Sequence, residues 1–212
     1  LAPIFLSGIV LALVLSLEGK SLLHASAVHV EDSTAALAGD SGMGKSTITA
    51  LLCRAGATLI SDDLLRIDIE KDDIVCFEGT SRIRLRESAG EIAALFPAGA
   101  SSVTADERLA ISVEGAHGSP FSLDAVVIPK PSKTAIRVTV TQLAPQAALT
   151  ELLRYPRVTG WQIREPLRAY FHALGEVSAR VPVHVAEIPW GPPFDPGIAS
   201  ALLAEIGFPR AR

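Results

Sequence analysis

Gly39-Asp40-Ser41-Gly42-Met43-Gly44-Lys45-Ser46 is the stretch on which the reading of this chain turns. It fits the pattern G-x-x-x-x-G-K-[ST], in which glycines let successive backbone N–H groups turn inward around phosphate oxygens. Lys45 would then reach the β- and γ-phosphates and the Ser46 hydroxyl would reach Mg²⁺. The preceding run, Thr34 to Ala38, is β-prone, and Ser46 to Arg54 has helical composition. A helix starting at the loop adds its positive N-terminal end beneath the phosphates. The expected nucleotide site is therefore Gly39 through Ser46, with Thr47 as the next residue of the helix. The alternative is a glycine-rich turn capped by Ser46.

Working outward, Leu22 to Val30 and Thr34 to Ala38 flank the polar Glu31-Asp32-Ser33, the pattern of an antiparallel hairpin. If the turn centres on Asp32, residue 24 lies opposite residue 40, give or take two positions. His24 would then stand at the mouth of the loop, where it can orient or tune a carboxylate. Downstream, Gly56 stops the helix and the apolar run Ala57 to Ile60 ends at Ser61-Asp62-Asp63. Strand, loop, helix and strand in succession imply a right-handed crossover onto a parallel strand beside the loop's own. Ligands gather at the carboxyl ends of such strands. One Asp would ligate Mg²⁺ and the other would accept a proton from an attacking hydroxyl. A solvated Asp pair capping a turn and a structural His24 are the plainer alternatives.

The rest of the chain extends the α/β pattern. Phe5 to Leu17 reads as a buried helix, being shorter than a membrane span and lacking a cationic leader. Leu64 to Ile69 with Ile74 to Phe77 forms a second hairpin. Glu87 to Leu95 is a predicted helix, Pro97 to Ala105 a flexible loop, and Leu109 to Val113 a strand. Leu123 to Ile128 is a strand closed by Pro129-Lys130-Pro131, followed by a strand over Ile136 to Leu143. Helices are expected over Ala147 to Leu153, Pro166 to Val177 and Ile198 to Ile206, with a strand over Val183 to Ile188. The alternation of Arg82, Arg84 and Arg86 puts three guanidinium groups on one side of a strand, suited to phosphate or carboxylate and equally to a solvated face. Trp161 and Trp190 read as core or rim residues, and His29, His117, His172 and His184 as structural or surface residues.

Bulk properties set limits. At 212 residues, 49% hydrophobic and 20% charged, the chain suits one folded domain over 1–212. A formal net charge of -4 gives no basic footprint for nucleic acid. Cys53 and Cys76 carry no metal or disulfide spacing, which points to reduced thiols and a cytoplasmic setting. The chain opens on Leu1 and its only methionine is Met43, so residues are expected upstream.

Leu23-His24-Ala25-Ser26-Ala27-Val28, the glycine loop and Ser61-Asp62-Asp63 together resemble the catalytic domain of bacterial HPr kinase/phosphorylase. Thr80 to Leu85 resembles a segment of shorter HPr-kinase-like proteins, several of which phosphorylate the C-terminal serine of a lasso-peptide precursor. The resemblance implies a phosphoenolpyruvate-carboxykinase-like P-loop fold, ATP with Mg²⁺, and a serine hydroxyl as acceptor. By matching position, Asp62 would be the base supported by His24, Asp63 and Ser46 would hold Mg²⁺, and Lys45 would grip the transferring phosphate. Arg82 and Arg84 would bind substrate. Glu78-Gly79-Thr80-Ser81-Arg82 stands where bifunctional enzymes carry a glutamate-valine-arginine-glycine signature. The expectation therefore moves to a kinase for a serine of a peptide or small protein, with no nucleic-acid or membrane partner and self-association left open. An HPr-type or small-metabolite kinase and a non-catalytic nucleotide-binding module are the alternatives.

Overall fold

The computed structural model describes residues 6–118, 120–158 and 163–209. In chain order its first elements are helix α1 (Leu11–Leu17), strands β1 (Ser21–Leu23), β2 (Ala25–Val30) and β3 (Ser33–Ala38), helix α2 (Lys45–Arg54) and strand β4 (Thr58–Ser61). Then come β5 (Leu65–Ile69), β6 (Ile74–Cys76), β7 (Arg82–Leu85), α3 (Gly90–Ala93), β8 (Ser101–Val103), β9 (Leu109–Ser112) and β10 (Phe121–Ser122). The chain continues through β11 (Ala125–Ser132), β12 (Thr139–Gln142), α4 (Pro145–Leu152), α5 (Arg164–Arg180), β13 (Val183–Pro189) and α6 (Gly197–Glu205).

The frame is a mixed six-stranded sheet in the order β12-β13-β11-β3-β2-β4. Its strands alternate faces with the period of two that pleating imposes. Val28, Leu37, Leu59 and Val127 point to one side and pack with α2, α6 and the small sheet β7-β9-β8. Ala27, Ala36, Ile60 and Val126 point to the other and pack with α4, α5 and the sheet β1-β5-β6-β10. The result is an α/β architecture with apolar cores on both faces of one sheet.

Strand β4 does not lie beside β3 as the crossover implied. It pairs antiparallel with β2, which itself pairs antiparallel with β3, so β2 stands between them. The hairpin partner already occupies that edge of β3, and the crossover passes over it. Two antiparallel pairings restore direction, so β3 and β4 run the same way. Their carboxyl ends, and the start of β2, share one edge of the sheet. Strands β11 and β13 are parallel to β3 and end at the same edge.

Other expectations are revised by packing. The segment read as a buried helix is a π-type turn, Leu6–Val10, leading into α1, whose Leu11, Val14 and Leu17 are exposed while Ala12 is buried. It lies against the edge strand β1, so one side alone is covered; Leu1 to Phe5 fall outside the described residues. Glu87 to Leu95 is a single 3-10 turn followed by the four-residue α3. The Ala/Ser-rich loop contains β8, an exposed strand held by backbone pairing to β9. Strand β11 runs through Pro129 and Pro131 rather than stopping there. Pairing with β3 ends at Val127, leaving one open side on which prolines are tolerated. Among the described residues no helix is long and apolar enough to cross a membrane.

Candidate active site

The loop leaves β3 at Gly39 and enters α2 at Lys45, with Gly44 at the helix N-cap. Gly42 and Gly44 have φ of 93 and 84, left-handed values that a glycine adopts without steric penalty. Gly44 is also tightly packed, since a Cβ there would lie 2.2 Å from the Trp190 ring. Gly44→Ala is therefore expected to cost roughly 1–2 kcal/mol from backbone strain alone. In thermal denaturation this appears as a midpoint lowered by several degrees. Against a Trp190→Ala background, where the ring is gone, Gly44→Ala should show the backbone component without the clash.

Lys45 is buried, and its ammonium group donates to the carbonyl oxygens of Gly39 at 2.8 Å and Asp40 at 3.1 Å. Its Nζ lies 3.2 Å from His24 Nε2, which in turn lies 3.1 Å from Asp63 Oδ1. The β2–β3 register pairs Ala25 with Ala38, which sets His24 across from Gly39, one position from the residue 40 estimate. Burial lowers the Lys45 pKa to about 8, against the opposing pull of Asp63 and Asp62.

The two aspartates occupy different environments. Asp62 is buried; its Oδ1 accepts from Ser26 Oγ at 2.6 Å and Ser46 Oγ at 2.9 Å, and its Oδ2 accepts from Arg84 N–H at 3.0 Å. Burial raises its pKa, although these hydrogen bonds oppose the shift. None of the three donors carries a charge at the donating atom. Asp63 follows with a left-handed φ of 71, which turns its side chain the other way. It lines the cavity and accepts from Arg157 Nη2 at 2.9 Å. Burial pushes the Asp63 pKa up, but the His24 hydrogen bond and the Arg157 charge outweigh it and hold the carboxyl well below its usual range.

A cavity of ≈ 290 Å³ opens over the loop. Of the expected nucleotide-site residues, Ser41, Gly42, Gly44, Lys45, Ser46 and Thr47 line it. Gly39, Asp40 and Met43 do not line it; Met43 Sδ folds to 3.0 Å from Asp40 N. Of the expected substrate-binding arginines, Arg84 lines the cavity, whereas Arg82 is exposed outside it. The strand alternation was legible; β7 ends at Leu85, so it is Arg86 that reaches the loop, donating from Nη2 to Ser41 Oγ at 3.0 Å.

Sequence reasoning missed Ser26, Arg108, Lys133, Arg157 and the place of Trp190. Lys133 and Trp190 follow β11 and β13 at the shared edge, so correct strand ends would have found them. Arg157 comes from a stretch with no local signal. Trp190 rests on Gly44 and meets Phe194 edge-on, with centroids 4.9 Å apart. Trp161 falls outside the described residues.

Ser46 and Asp62 together fit a divalent cation: a buried carboxylate without a cationic partner beside the loop hydroxyl, the pair that holds Mg²⁺ in P-loop nucleotide enzymes. Among the described residues no group of three or more His, Cys, Asp or Glu could form a protein cage. Mg²⁺ is ordinarily held by one or two carboxylates with phosphates and water, so the small donor set suits it.

Fold and site together define an α/β protein with a glycine loop between a strand and a helix, and a carboxylate–histidine pair at the buried lysine of that loop. No protein-family model matches the chain, and no curated protein matches it by sequence. Among solved structures it is similar to the HPr(Ser) kinase/phosphatase from Coxiella burnetii, at 13% identity and a TM-score of 0.40, covering 88% of this chain and 92% of that one.

Proposed function

We propose that this protein is an ATP-dependent kinase that transfers the γ-phosphate to a serine hydroxyl of a peptide or small protein. The observation that carries the reading is the chain Lys45–His24–Asp63, with contacts of 3.2 and 3.1 Å at the edge of the phosphate loop. Holding a nucleotide requires the lysine and the loop; it does not require a carboxylate and an imidazole beside them. In phosphoryl transfer such a carboxylate receives the hydroxyl proton of the acceptor.

The geometry favours exchanging the roles that position matching gave to the two aspartates. Asp63 faces the cavity and stays ionised, so it would accept the proton, with His24 and Arg157 fixing its orientation. Asp62 is bonded to Ser46, so those two would hold Mg²⁺, which when bound neutralises charge on the β- and γ-phosphate oxygens. Lys45 would grip the transferring phosphate, and Arg84 and Arg86 would contact its oxygens or an anionic part of the acceptor. The resemblance of Thr80 to Leu85 to the shorter HPr-kinase-like proteins, with Glu78-Gly79-Thr80-Ser81-Arg82 in place of the bifunctional signature, narrows the acceptor further, to the C-terminal serine of a lasso-peptide precursor, modified in the cytoplasm.

The test is incubation of the full chain with ATP, Mg²⁺ and serine-containing peptides, read by mass spectrometry for phosphoserine. Transfer to serine and none to the alanine-substituted peptide is expected. ATP binding with no phosphorylated acceptor would instead mark a nucleotide-responsive module. A small anionic metabolite as acceptor is a second reading, favoured by Arg84, Arg86, Arg108 and Lys133 lining one cavity. The same spectra with a metabolite pool decide between them.

A further inference from the structure

A second cavity, of ≈ 500 Å³, opens between the Ser16 to Leu22 segment and α5. Leu22, Pro156, Leu167 and Phe171 give it an apolar wall. Leu167 is 44% and Phe171 56% exposed, so the rim offers large apolar side chains to solvent. Apolar side chains gathered around a cavity suit contact with an apolar group of another molecule.

Two residues of this wall each carry a buried polar atom that lacks a partner. Arg157 Nε and Tyr170 Oη are buried and have no hydrogen-bond partner among the described residues, and both residues line the cavity. Burial pushes the Tyr170 hydroxyl pKa up, so it keeps its proton. Buried donors without acceptors call for an explanation, and the complement of two donors in an apolar wall is a ligand with a carbonyl oxygen and an apolar body. Arg157 also connects this cavity to the phosphate loop, because its Nη2 donates to Asp63.

We infer that this cavity docks the acceptor as an extended peptide segment, its apolar side chain against Leu167 and Phe171 and a main-chain carbonyl accepting from Arg157 or Tyr170 once that side chain turns into the cavity. The inference rests on the serine-kinase reading and adds where the acceptor lies. Arg157 links a peptide held there to Asp63, so the docked apolar residue would lie close in sequence to the acceptor serine. Specificity would then favour serine flanked by a large apolar residue, with charge on that flank excluded by the wall.

The experiment uses the full chain with two fluorescein-labelled serine peptides, one carrying Leu beside the serine and one carrying Asp there. Leu167→Asp and Phe171→Asp alter exposed rim positions, and Tyr170→Phe removes only the hydroxyl. For the Leu peptide, each Asp variant should raise KM at least about tenfold with kcat nearly unchanged, as loss of apolar pocket contacts does. Tyr170→Phe should raise KM by a smaller factor, and ATP affinity should stay constant throughout. Unchanged KM in both Asp variants overturns the docking site. A dimer dispersed by Phe171→Asp with KM unchanged also overturns it and makes the face a contact between copies. If the wild-type chain transfers phosphate to neither peptide, yet anisotropy shows Leu-peptide binding that the Asp variants lose, the kinase reading fails and the docking site stands.

Discussion

Asp63→Asn is expected to lower kcat by about 10²–10⁴-fold, the range for loss of a general base, while ATP affinity changes little. The substitution is nearly isosteric, and Asp63 is partly exposed, with 41% of its side chain accessible, so the fold should tolerate it. On the proposed reading it removes the acceptor of the hydroxyl proton, and with it the charge that contacts His24 and Arg157. Asp62→Asn is the paired measurement. Its carboxylate faces Ser46 rather than the cavity, so its loss should appear chiefly as a higher Mg²⁺ requirement. Single-turnover transfer measured across a Mg²⁺ series separates the two. Rescue of Asp62→Asn by high Mg²⁺, with none for Asp63→Asn, supports the exchanged roles; the opposite pattern returns the base to Asp62.

Lys45→Met should reduce transfer by at least about 10²–10³-fold, as expected when a preorganised positive group is removed from the transferring phosphate. Stability should move the other way. Burial lowers the folded Lys45 pKa from 10.5 to about 8, so the folded chain disfavours the ammonium form. Between about pH 8 and 10.5 the unfolded chain holds a proton that the folded chain has released, and wild-type stability rises with pH across that window. Below it the wild type bears the full cost of a buried charge. Lys45→Met lacks that titration, so its advantage in denaturant midpoint should be largest below pH 8 and shrink above it. A Lys45→Met midpoint that tracked the wild type at every pH would show that the ammonium is not held at a cost.

Both expectations depend on features that the sequence showed unequally. The loop, the helix after it and the Asp pair were legible because each is local: glycines where the backbone must turn left-handed, an apolar run before, a helical one after. The hairpin was legible because one polar turn fixes its register, and it set His24 within one position of its place. The prolines misled the reading of β11, since a proline stops a strand only where both sides are paired.

By itself, then, the sequence determined the glycine loop, its flanking strand and helix, and the presence of His24, Asp62 and Asp63 near it, through spacing and backbone chemistry that act over a few residues. Tertiary structure alone decided which neighbour each acquired. Insertion of β2 between β3 and β4 put Asp62 against Ser26 and Ser46, and the left-handed turn at Asp63 sent the next carboxylate to His24 and Arg157. Arg157 is 94 residues from Asp63 along the chain, and no local pattern encodes a pairing over that distance. Burial and partners complete the division: removal from water raises the Asp62 pKa, while at Asp63 the His24 hydrogen bond and the Arg157 charge outweigh burial and lower it, so two adjacent and identical side chains shift in opposite directions.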